Sequence, residues 1–247
     1  MEDRPLEIQP LIEDLVVASH ILYDQNVLDC YGHVSARDPR DPDRFLLSRA
    51  RAPGLVTSSD IMLFSLDAEP VDDDDRPVFY ERFIHSEIYR SRPDVHAVVH
   101  SHSPTVLPFT VTKTALRPIL AAPFLYPDVP VFDTRDAAGP TNLLISSGTL
   151  GRALAEKLGS NSVVLMRGHG NTVVAPDVRT AVYRAVLTEM NAKALLQAAM
   201  LDGPITYVAP EEAEAMTASL KTRSSGHGAN RTWELWAAEA ARHIKLL

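Results

Sequence analysis

Apolar and polar positions along the chain follow two periods, and the switches between them predict the order of elements. From Pro10 to Asn26, Leu11, Ile12, Leu15, Val16, Ala18, Ile21 and Leu22 recur at helical spacing with one buried face. His20 lies on that helix as a structural residue. Gly32 to Arg37 alternates as a strand does, and Arg44 to Ser48 reads as its hairpin partner. Between them Asp38-Pro39-Arg40-Asp41-Pro42-Asp43 is a turn by composition. Ser58-Ser59-Asp60 suits a helix cap or turn, with Asp60 as the N-cap, and Met62 to Ser65 is an alternative strand. Phe79 to Arg90 reads as a helix that ends before Pro93, and it sets Glu81, His85 and Tyr89 on one face at i, i+4 and i+8. Val98 and Val99 make a buried strand, and Pro127 to Phe132 a short one. Thr149 to Gly159 is an amphipathic helix that its last glycine ends. Asn161 to Arg167 is a strand with Thr172 to Val174 as partner, and Asp177 to Met200 is a long alanine-rich helix.

The last part, Glu211 to Leu247, is charged and helical with a break at Ser224 to Gly228. Trp233 and Trp236 stand three apart on one helical face there, serving either as a docking face for another subunit or as packing within the chain. The whole of 1–247 is expected to form a single α/β domain, with 211–247 as a C-terminal helical extension.

Composition narrows the partners. With 247 residues, 45% hydrophobic and 23% charged, the chain has the make-up of a soluble globular protein. A net charge of −8 argues against nucleic acid or an anionic membrane as the main partner, though a few arginines can still make a local pocket for an anion. No apolar run approaches the roughly 18 residues of a membrane span, and Met1-Glu2-Asp3-Arg4-Pro5 lacks the apolar core of a signal peptide. The single cysteine, Cys30, allows no internal disulfide and reads as a small buried residue, which makes the cytoplasm the expected compartment. Asp72 to Asp75 reads as a solvated hairpin tip.

The candidate chemistry gathers at two strand ends. In Val98-Val99-His100-Ser101-His102, side chains alternate faces, so His100 and His102 project to the same side, about 6–7 Å apart along the strand. His169 ends another apolar run and is flanked by Gly168 and Gly170, which leave room for close approach. Three imidazoles on ordered strand ends leave a coordination position open, the arrangement of a catalytic rather than a structural metal. Imidazole suits one divalent transition ion per subunit: Zn, Mn, Fe or Co. Arg49 and Arg51 are carried on a loop at a strand end, placed for either substrate contact or salt bridges.

These residues resemble the class II aldolase/adducin family. The carriers are Gly32-His33-Val34-Ser35, Glu81 with Phe83 and His85, Arg92-Pro93-Asp94 ahead of Val99-His100-Ser101-His102, and Gly168-His169-Gly170, spread over Leu11 to Ala199. The resemblance implies an α/β/α three-layer fold with a mostly antiparallel central sheet, and a cyclic homotetramer with active sites at subunit boundaries. It implies that His100, His102 and His169 hold the ion and that Glu81 is the acid/base, ligating as well when the site is empty.

Three departures point within the family. Where its sugar-phosphate aldolases have Gly-Asn, Thr-Gly and Ser-Ser to cradle phosphate, this chain has Gly32-His33, Leu55-Val56-Thr57 and Phe79-Tyr80. A phosphate cradle needs small residues, hydroxyls and free N–H groups. Phe79 and Tyr80, with His33 and the two arginines, better suit a flat carboxylated ring, since arginine grips carboxylate bidentately. The pattern is similar to the decarboxylase branch, hydroxy-methylpyridine-dicarboxylate and dihydroxyphthalate decarboxylases. That implies metal-dependent, non-oxidative loss of CO₂ from an ortho-hydroxy aromatic acid, with Glu81 or His33 delivering the proton. A class II aldolase or epimerase of a sugar phosphate or small hydroxy acid is the alternative, and a non-catalytic adducin-like domain the third reading.

Overall fold

Four strands of this protein are buried at every position, which a sheet covered on only one face does not produce. The computed structural model describes residues 8–71, 74–222 and 227–244. The N-terminal pentapeptide read for a signal, Asp72 and Asp73 of the acidic run, and residues 224–226 of the C-terminal break lie outside the described residues.

In chain order the elements are α1 (Gln9–Asp24), β1 (His33–Arg37), β2 (Arg44–Ser48), β3 (Ile61–Ser65), α2 (Arg82–Ser91), β4 (Ala97–Ser101), α3 (Leu107–Val111), β5 (Val131–Phe132), α4 (Thr134–Ala138), α5 (Gly148–Leu158), β6 (Val163–Met166), β7 (Gly170–Ala175), α6 (Val178–Ala199), α7 (Pro210–Thr222) and α8 (His227–Ile244). The strands form one sheet in the order β3-β2-β1-β4-β7-β6-β5. Every neighbouring pair is antiparallel except β5 with β6.

Period-2 alternation sorts the strand side chains into two cores. Val34, Ala36, Leu46, Val99, Leu165 and Val173 face one way and pack with α1, α6 and α8. Phe45, Leu47, Met62, Val98, Val164 and Val174 face the other way and pack with α2 and α5. The expected α/β/α layering with a mostly antiparallel sheet is what the chain forms.

Local differences from the sequence reading have local causes. Asp60 ends a single 3-10 turn, Ser58–Asp60, and Ile61 to Ser65 is strand, the alternative reading. Helix α2 starts at Arg82 because Phe79 and Tyr80 lie in a turn closed by Arg82 N–H on the Phe79 carbonyl; Glu81 therefore sits at the helix entry. Cys30 is exposed, not buried: it rides a loop whose turn is held by Asp29 Oδ1, which accepts from the Tyr31 and Gly32 amides. Trp233 is 7% exposed in the core shared with α1 and α6, and Arg179 stacks over its ring, so packing within the chain takes that face. No helix among the described residues is long and apolar enough to cross a membrane.

Candidate metal centre

Antiparallel pairing builds the site from distant parts of the chain. β4 lies between β1 and β7, and the register sets His100 opposite His33 on one side and Thr172 on the other. His102 follows the end of β4. His169 lies in the short loop joining β6 to β7, between the paired residues Met166 and Gly170. Gly168 takes φ +63° in that loop, and a Cβ on Gly170 would stand 2.0 Å from the Ser101 carbonyl oxygen. Only glycine lets β7 approach β4 here, and that approach carries His169 to His102.

The three imidazoles and Glu81 converge. His102 Nε2 is 3.1 Å from His100 Nε2 and 3.0 Å from His169 Nε2. Glu81 Oε2 stands 3.2 Å from His169 Nε2, 3.4 Å from His100 Nε2 and 3.9 Å from His102 Nε2. All four ligand atoms lie within 4.8 Å of one another. The carboxylate is aimed by its other oxygen, Oε1, which accepts the Ile145 N–H at 2.8 Å.

What holds the far side of each ring tells which nitrogen points inward bare. His169 Nδ1–H donates to the Leu143 carbonyl at 2.9 Å. His102 Nδ1 lies 3.2 Å from both oxygens of Asp29. His100 Nδ1 lies 3.4 Å from Thr172 Oγ1, whose own proton points to Met166 Sδ. Each Nδ1 therefore donates outward and each Nε2 lone pair faces in. Three lone pairs and a carboxylate oxygen this close repel one another unless a cation lies among them. Tetrahedral ligands about 2.0 Å from an ion stand about 3.3 Å apart, close to the spacing here. The donor set thus fits a divalent cation, and the outward hydrogen bonds are of the kind that fix ligand orientation around metals.

Charge follows the same logic. Burial would raise the Glu81 carboxyl, but the imidazoles that face it, His100 foremost, hold it well below the usual carboxylate range. Burial pushes His100 down to about 4 against the pull of Glu81. His102, less buried, is raised because Glu81 and Asp29 together outweigh desolvation.

The remaining site residues named from sequence are placed unevenly. The Phe79 ring centroid is 4.3 Å from that of His33, and His33 is 5.2 Å from His100, so both border the cluster. Tyr80 is 76% exposed and points to solvent. Arg49 Nε bonds Asp60 at 2.6 Å and Arg51 Nη1 at 3.2 Å, the salt-bridge alternative. Among the described residues no hydrogen bond ties either arginine to the histidines. Sequence reading missed Asp29, Leu143, Ile145 and Thr172, which aim the cluster, and Tyr31, whose ring centroid is 6.4 Å from that of His102. Only Asp29 carried a signal, an Asx turn before Gly32.

The profile of the "Class II Aldolase and Adducin N-terminal domain" matches residues 13–196. The chain is 41% identical to the protein named decarboxylase tropJ of Talaromyces stipitatus, over 92% of this chain and 93% of that one. It is 33% identical to a 3,4-dihydroxyphthalate decarboxylase of Arthrobacter keyseri, over 78% and 80% of the two chains. Among solved structures, an aldolase II superfamily protein from Pseudomonas syringae superposes with a TM-score of 0.78 at 22% identity, covering 98% of this chain and 96% of that one.

Proposed function

We propose, from the premise that the chain belongs to the class II aldolase and adducin family, that it is a divalent-metal-dependent, non-oxidative decarboxylase. Its substrate is a hydroxylated aromatic or pyridine carboxylic acid, of which an ortho-hydroxy dicarboxylate such as a dihydroxyphthalate is the leading case. The observation that carries this reading is the inward convergence of three imidazole lone pairs and Glu81 Oε2 beside an aromatic wall. Two relatives named as decarboxylases, at 41% and 33% identity, support it.

His100, His102 and His169 hold the ion, with Glu81 as a further ligand when no substrate is bound. Once bound, the cation supplies Lewis-acid stabilisation to whichever oxygen gathers negative charge. Phe79 packs against the face of the ring, with Tyr80 at the rim. Arg49 and Arg51 each keep guanidinium nitrogens beyond the one given to Asp60, and these take a second carboxylate.

Proton movement is assigned to Glu81 or His33. Glu81 Oε2 takes the proton of the ring hydroxyl and delivers it to the carbon bearing the carboxylate. The C–C bond then breaks, its electron pair returns to the ring oxygen, aromaticity is restored and CO₂ leaves. The assembly is a cytoplasmic homotetramer with sites near subunit boundaries.

The test is to incubate the metal-loaded protein with hydroxyphthalate-type acids and, separately, with dihydroxyacetone phosphate plus an aldehyde. Release of CO₂ from the first is expected. Carbon–carbon bond formation from the second with no CO₂ from the first would replace this reading with an aldolase.

A further inference from the structure

His33 does not stand alone beside the cluster. Its Nδ1 is 2.7 Å from His85 Nε2; His85 Nδ1 is 2.6 Å from Ser35 Oγ; Ser35 Oγ is 2.7 Å from the Tyr89 phenol. All four side chains are buried on the α2 side of the sheet, and the chain of contacts runs from the site into the core. Helix α2 supplies His85 and Tyr89 one turn apart, while His33 and Ser35 are alternate residues of β1 on one face.

Each link in such a chain has two possible donors, but the inner end removes the freedom. Tyr89 keeps its proton, because burial raises its phenol further above the usual range. A buried O–H without an acceptor is costly, and among the described residues Ser35 Oγ is the one acceptor within reach. The other group beside the phenol is the Val98 backbone N–H, itself a donor. Tyr89 therefore donates to Ser35, and Ser35 gives its single proton to His85 Nδ1. A ring nitrogen that accepts a hydrogen bond carries no proton, so His85, accepting at Nδ1, is not the doubly protonated cation but a neutral imidazole. A neutral ring that accepts at Nδ1 carries its hydrogen at Nε2. His85 thus donates to His33 Nδ1, and His33 is left with N–H at Nε2.

That nitrogen opens outward. Arg167 Nε, lying against Asp133, is the one fully buried side-chain nitrogen or oxygen without a hydrogen-bond partner among the described residues. His33 Nε2 also has none, so it reaches free space, between Phe79 and His100.

We infer that Tyr89, Ser35 and His85 form a hydrogen-bond chain of fixed polarity that locks His33 as its Nε2–H tautomer, a neutral donor turned toward the Glu81 and histidine cluster. His85 is a positioning residue, acting through His33. The consequence for chemistry rests on the decarboxylase reading: His33 donates a hydrogen bond to a carboxylate or ring oxygen of the substrate and keeps its proton. Passing the proton on would need either an imidazolate or a tyrosinate in the core. Ring protonation then falls to Glu81.

The tautomer can be read without any substrate. In zinc-loaded protein labelled with ¹⁵N-histidine, long-range ¹H–¹⁵N spectra distinguish a protonated ring nitrogen from a bare one. The expected result is Nε2 protonated and Nδ1 bare for His33, assigned by the loss of its signals in His33→Gln. Nδ1–H on His33 would overturn the proposal whatever reaction the protein performs. In His85→Phe, a replacement that keeps a ring beside Phe45, the spectra should show both tautomers of His33. There kcat should fall about 10²-fold, the scale of losing one aimed hydrogen-bond donor, with KM and bound zinc unchanged. A His85→Phe protein with unaltered kcat and a single Nε2–H tautomer would also overturn it. If that variant does not fold, the wild-type spectrum still decides.

Discussion

Two groups of histidines meet at the β1–β4 pair, where His33 stands opposite His100, and they are wired in opposite senses. In the convergent group, His100, His102 and His169, each Nδ1 faces outward to Thr172, Asp29 or the Leu143 carbonyl, and each Nε2 faces in. In the buried group, His33 and His85, the contacts run inward to Ser35 and Tyr89. The first group gathers lone pairs for a cation; the second, on our proposal, delivers an N–H. One residue type does both because the function of an imidazole is set by what holds its other nitrogen.

The largest break in this contrast comes from removing a ligand. His100→Ala should lose bound metal, measured by elemental analysis, together with at least about 10³-fold in turnover, the scale of losing a group that stabilises a developing oxyanion. Full activity without metal would remove the function proposed here. Gly170→Ala attacks the same group through the backbone, since its Cβ meets the Ser101 carbonyl at 2.0 Å. It should cost at least about 10²-fold in metal affinity in a chelator competition, while the His33 and His85 ring signals stay as they are. Asp29→Asn leaves the ligands in place but weakens the hold on His102. The expected loss is about 10-fold to 10²-fold in metal affinity with the fold intact.

The smallest effect tests a pair outside both groups. Burial would raise the Asp60 carboxyl, but hydrogen bonds from Arg49 and Thr57 bring it down to about 2. Being depressed in the folded state, it adds stability above its unfolded value near 3.8 that is lost as the pH falls toward 2. Asp60→Asn should cost about 2 kcal/mol at neutral pH in denaturant unfolding. It should also flatten the decline in stability across that acid window, with metal affinity unchanged. Altered metal affinity in this variant would mean the arginine loop and the cluster are coupled.

How legible the molecule was in its sequence depended on whether a feature was local. Period-2 runs such as Val98-Val99-His100 and Val163 to Met166 announced buried strands, and Gly168-His169-Gly170 announced a close approach, because each is a matter of neighbouring residues. Helix α2 was visible as the face carrying Glu81, His85 and Tyr89, yet nothing in the spacing said that Ser35 would meet two of those three. That contact exists only because β1 lies beneath α2. The Nδ1 partners were hidden for a similar reason. A backbone carbonyl such as that of Leu143 has no residue-specific signature, and Leu143 takes φ 70°, a conformation no leucine advertises. Arg49 and Arg51 were visible as loop arginines, and Ser58 to Asp60 as a cap or turn, but nothing in the spacing joined the two: the commitment of the arginines to Asp60 depends on the 3-10 turn that aims its carboxylate.

Leu143 and Ile145 belong to one connection between α4 and α5, and between them they restrain half of the cluster: the carbonyl of one steers His169, the amide of the other steers Glu81. An imidazole and a carboxylate that come from places far apart in the chain are thereby geared to a single short span of peptide. Lengthening or shortening that span moves His169 and Glu81 as one, so neither can be retuned alone by remodelling it. Divergence that needs to shift only one of the two must find its changes elsewhere, in β7 or at the entry to α2.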